Sequence, residues 1–70
     1  MRTMNTLKVY HWLHTNNHLI PATTLASQFP LLGELQYCQI ENLLDMYFKD
    51  TAPEIFRKMQ CEVSTILYMD

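Results

Sequence analysis

The sequence predicts an all-α domain of four helices, the second one short. Three observations carry this. Apolar residues recur at helical spacing along most of the chain. Gly33 is the one glycine, whereas an all-β fold needs many glycine-bearing turns. Pro21, Pro30 and Pro53 all fall where a periodic segment starts or stops.

The first helix is predicted over residues 4–15. Leu7, Tyr10 and Leu13 share one face, with Val9 at its edge, and the Asn16-Asn17 pair ends the helix. On that reading Trp12 points away from the core side. In the second segment, HLIPATTLASQFP, Pro21 suits a helix opening because its missing N–H would be unpaired there anyway. Ala22, Leu25, Ala26 and Phe29 give a short apolar face, and Pro30 stops it.

The third helix is predicted over residues 34–49. Its polar arc is narrow: Glu34, Glu41, Asn42, Asp45 and Lys49. Leu35, Ile40, Leu43, Leu44, Met46, Tyr47 and Phe48 cover more than half of its circumference. A helix this apolar is central to a bundle or lies at an interface. Gln36 and Gln39 fall within the apolar arc and are expected at its rim, amides in water. The fourth helix opens on Thr51-Ala52-Pro53-Glu54, which fits a capping box with Thr51 as N-cap. Ala52, Ile55, Phe56, Met59, Val63, Ile66 and Leu67 then form one stripe. The short link between helices three and four predicts an antiparallel hairpin, with all of residues 1–70 in a single domain.

Composition bounds the function. The chain is 49% hydrophobic and 17% charged, with a net charge of −2. A typical charged share is about 25%, so the surface is sparse in charge. Some of the apolar surplus is expected to meet a partner protein or a second copy of the chain. Arg2, Lys8, Lys49, Arg57 and Lys58 are scattered, without the basic cluster that phosphate binding rests on. Two cysteines, Cys38 and Cys61, are too few for a disulfide scaffold. The N-terminus lacks the apolar run of a signal peptide, and no stretch approaches a membrane span. The expected setting is cytoplasmic, with no membrane contact.

The stretch HWLHTNNH holds every histidine: His11, His14 and His18. A structural zinc site takes four ligands and a catalytic one takes three plus water. Three histidines alone fall short of a structural set, and the H-E-x-x-H pattern is absent. A histidine near a helix C-terminus complements the negative end of the helix dipole. The stretch therefore reads as a helix end with solvent-facing histidines beside an unburied Trp12. No metal or other cofactor is expected. No glycine-rich phosphate loop and no nucleophile turn is present, so the chain is read as a non-enzyme.

The order helix, LIPATTLASQF, turn, helix resembles a helix-turn-helix in outline, with Leu25-Ala26 and Phe29 suiting that motif's first helix. The resemblance spans about half of the chain. It implies a DNA-binding transcriptional regulator whose recognition helix is helix three. Glu34, Glu41 and Asp45 on that helix would face phosphates and weaken binding. The leading expectation is thus a small regulator, adaptor or inhibitor that binds another protein through an apolar helical face, as a homodimer. Its interface candidates are Tyr10, Trp12, Ile40, Met46, Tyr47 and Phe48. DNA binding is the alternative, and metal binding through the histidines a third reading.

Overall fold

A computed structural model describes the backbone of residues 3–69 and the side chains of residues 3–63. The elements run β1 (Thr3–Asn5), α1 (Thr6–Thr15), α2 (Leu19–Gln28), β2 (Glu34–Gln36), α3 (Tyr37–Phe48) and α4 (Ala52–Met69). The four helices are present. The two strands correct the sequence expectation, which places residues 4–5 and Glu34–Gln36 in helix starts.

β1 and β2 pair antiparallel, with Met4 opposite Leu35, Thr3 opposite Gln36 and Asn5 opposite Glu34. Successive side chains of a strand alternate faces. Met4 and Leu35 accordingly enter the core together, while Thr3, Glu34 and Gln36 are exposed. Gly33, at φ +97°, turns the chain into β2 and accepts a hydrogen bond from the Thr6 N–H at 3.0 Å. That positive φ is cheap only for glycine. The pairing costs helix one its first two predicted residues and helix three its first three.

Helix α1 starts at Asn5, whose Oδ1 accepts from the Lys8 N–H at 3.1 Å, as an N-cap should. The face it buries is the predicted one only in part. Thr6, Val9, Trp12 and Leu13 are buried, while Leu7 is 47% exposed. The helix is rotated so that Trp12 points inward, at 3% exposure, rather than out to solvent. Its large apolar body favours burial once the indole N–H has a partner. Glu62 of α4 provides one, accepting from Trp12 Nε1 at 2.7 Å.

The end of α1 closes on Asn17, at φ 64°. The His18 N–H bonds back to the Leu13 carbonyl at 2.8 Å and the Asn17 N–H to the His14 carbonyl at 3.1 Å. This is the Schellman pattern, with asparagine in the left-handed position that glycine usually takes. Helix α2 follows at once, with Pro21, Ala22 and Leu25 buried. Pro21 lies in the first turn, as predicted, but the helix begins two residues before it. Ala26, assigned to the apolar face, is exposed.

Helix α3 buries Ile40, Leu43 and Leu44. Gln36 and Gln39 are not passive rim residues: the Gln36 N–H donates to Gln39 Oε1 at 2.9 Å, closing the start of the helix. A three-residue turn, residues 49–51, leads into α4, which packs against α3. Ala52, Met59 and Val63 of the predicted stripe are buried, and Ile55 and Phe56 half-buried. The side chains of Ile66 and Leu67 lie outside the described residues. The Thr51 carbonyl accepts the first α4 bond, from Ile55 N–H at 3.0 Å, while its hydroxyl donates back to the Phe48 carbonyl at 3.4 Å. No helix among the described residues is long and apolar enough to cross a membrane.

Candidate docking groove

An open groove of about 460 Å³ lies where the start of α2 meets the end of α3. Its walls come from Asn17, His18, Leu19, Ile20, Pro21, Tyr47 and Phe48. Local structure explains each wall. The Schellman turn swings the chain from α1 into α2 without a long loop, which brings His18 against both neighbouring helices. The His18 ring stands 5.8 Å from the Trp12 ring and meets Phe48 edge-on at 5.0 Å. It is half-buried, so it forms the floor of the corner rather than a solvated helix end. His11 and His14 are exposed, as expected.

Leu19 and Ile20 form the outer lip. At about 100° per residue, the arc centred on Pro21, Ala22 and Leu25 leaves both of them facing outward. Leu19 is 50% and Ile20 68% exposed. On the opposite wall, the Tyr47 hydroxyl and Thr24 Oγ1 are 2.6 Å apart. That bond ties α3 to α2 beside the groove. Met46 precedes it, at 63% exposure.

Of the six predicted interface residues, the groove unites two, Tyr47 and Phe48, and Met46 stands exposed beside them in sequence. Tyr10 is half-buried on α1, with its ring 6.0 Å from His14. Trp12 and Ile40 belong to the core, at 3% and 0% exposure, and offer no surface in the folded chain. Leu19 and Ile20 escaped the prediction. Their signal was present, since a first turn opening on Leu-Ile-Pro ahead of a buried Ala22/Leu25 side leaves the two apolar residues unpartnered.

The groove suits burial rather than bond-making. Its lining carries no carboxylate, lysine or arginine, and one of its polar groups, the Tyr47 hydroxyl, is already bonded. Interface cores are similarly poor in charge and rich in aromatic residues. A second hollow, of about 160 Å³, lies between α3 and the start of α4, with Glu41 and Asp45 on its rim. It is smaller than the ~300 Å³ at which ligand sites begin. Among the described residues, no group of three or more His, Cys, Asp or Glu side chains is placed to hold a metal ion. No protein-family model, curated protein or solved structure matches the chain.

Proposed function

We propose that this chain is a small non-enzymatic regulator, adaptor or inhibitor that docks on protein through the α2–α3 groove, which pairs it with a second copy of itself and is the face it offers to a partner protein. The observation that carries the reading is the uncharged groove with Leu19, Ile20 and Tyr47 at its rim and Met46 exposed nearby. Leu19, Ile20 and Tyr47, exposed around one groove, are costly in water and gain by being covered. The binding mode is a helix face or extended segment laid across aromatic and aliphatic anchors. Exposed thiols at Cys38 and Cys61 suit a reducing compartment such as the cytoplasm.

Light scattering over a dilution series tests the self-pairing. The expected mass falls from dimer to monomer on dilution, and Ile20→Asp stays monomeric throughout. Ile20 is exposed, so the variant keeps its fold, which a thermal melt checks. A wild-type monomer at every concentration up to millimolar removes the homodimer.

A second reading, a helix-turn-helix DNA-binding regulator, is favoured by one feature: α2 packs on both α1 and α3. Two features weigh against it. The connection from α2 to α3 spans residues 29–36 and contains β2, where that motif uses a turn of about 3–4 residues. The exposed side of α3 carries Glu41 and Asp45. Fluorescence anisotropy with duplex DNA at low salt separates the readings. Tight binding that weakens steeply with added salt would place DNA first.

A further inference from the structure

We draw no further inference here: the strongest candidate, the open apolar groove between the first turn of α2 and the last turn of α3, belongs to the site already described, and nothing in the structure shows what covers it.

Discussion

Trp12 joins two helices through one atom. Its indole N–H reaches the Glu62 carboxylate at 2.7 Å, and the rest of the ring is core. A hydrogen bond to a charged acceptor contributes about 1.5–3 kcal/mol. Trp12→Phe keeps most of the ring and loses the donor, so it is expected to destabilise by at least about 1.5 kcal/mol in urea denaturation. In Glu62→Ala the same change should cost much less, because the acceptor is already gone. Equal costs in both backgrounds would show that the bond contributes nothing. Asn17 gives a second residue-scale forecast. Asn17→Gly removes the Cβ and should hold or raise the melting temperature, whereas Asn17→Ala keeps the Cβ, loses the polar side chain that eases the left-handed region, and should cost up to about 1 kcal/mol. A tolerated alanine would mean that the turn relaxes to another conformation. The Asn16-Asn17 helix stop was legible in the sequence because few residues other than glycine and asparagine accept that backbone. Trp12 was not. Its side of α1 depended on a carboxylate fifty positions away, which no local pattern reports.

At the scale of elements, the helix ends carry unequal weight. Asn5 caps α1 with its own side chain, whereas the Thr51 hydroxyl turns back to the Phe48 carbonyl at a long 3.4 Å. Asn5→Ala should therefore cost about 1 kcal/mol and Thr51→Ala clearly less, measured side by side in denaturant. The reverse ranking would restore Thr51 as the conventional cap. The histidine stretch is also an element-scale matter, since it spans the α1–α2 turn. His18 packs between Trp12 and Phe48 while His11 and His14 face solvent. Zinc at a hundredfold excess over its dissociation constant would add about 2.7 kcal/mol if a site existed in the folded form alone. The expected melt with zinc is unchanged. A rise that disappears in His14→Ala would establish a metal site. The four helices were readable because each runs long enough to show its period. β1 and β2 were not, because each is three residues long and its alternation of polar and apolar residues is too brief to stand out. Their pairing joins segments some thirty residues apart, so only the folded chain reveals it.

The whole molecule is a small core with an unfinished surface. Chains of this size bury only about 60% of the surface that the unfolded state exposes. The core gathers Met4 and Leu35 from the sheet with side chains from all four helices. Leu19, Ile20, Met46 and Tyr47 are left outside it, as are Leu7 on α1 and Leu32 ahead of β2. Low charge content made such a surplus foreseeable, but its place was not, because that depended on which side of α2 faced inward. The proposed homodimer would form through the groove between α2 and α3. A photo-crosslinking amino acid placed at position 20, on the groove lip, tests it directly against the same group at position 57, exposed on α4. Irradiation of the purified protein is expected to give a covalent dimer from position 20, with little from position 57 and a yield that rises with concentration. No dimer from position 20, or equal yields from the two positions, would contradict the claim.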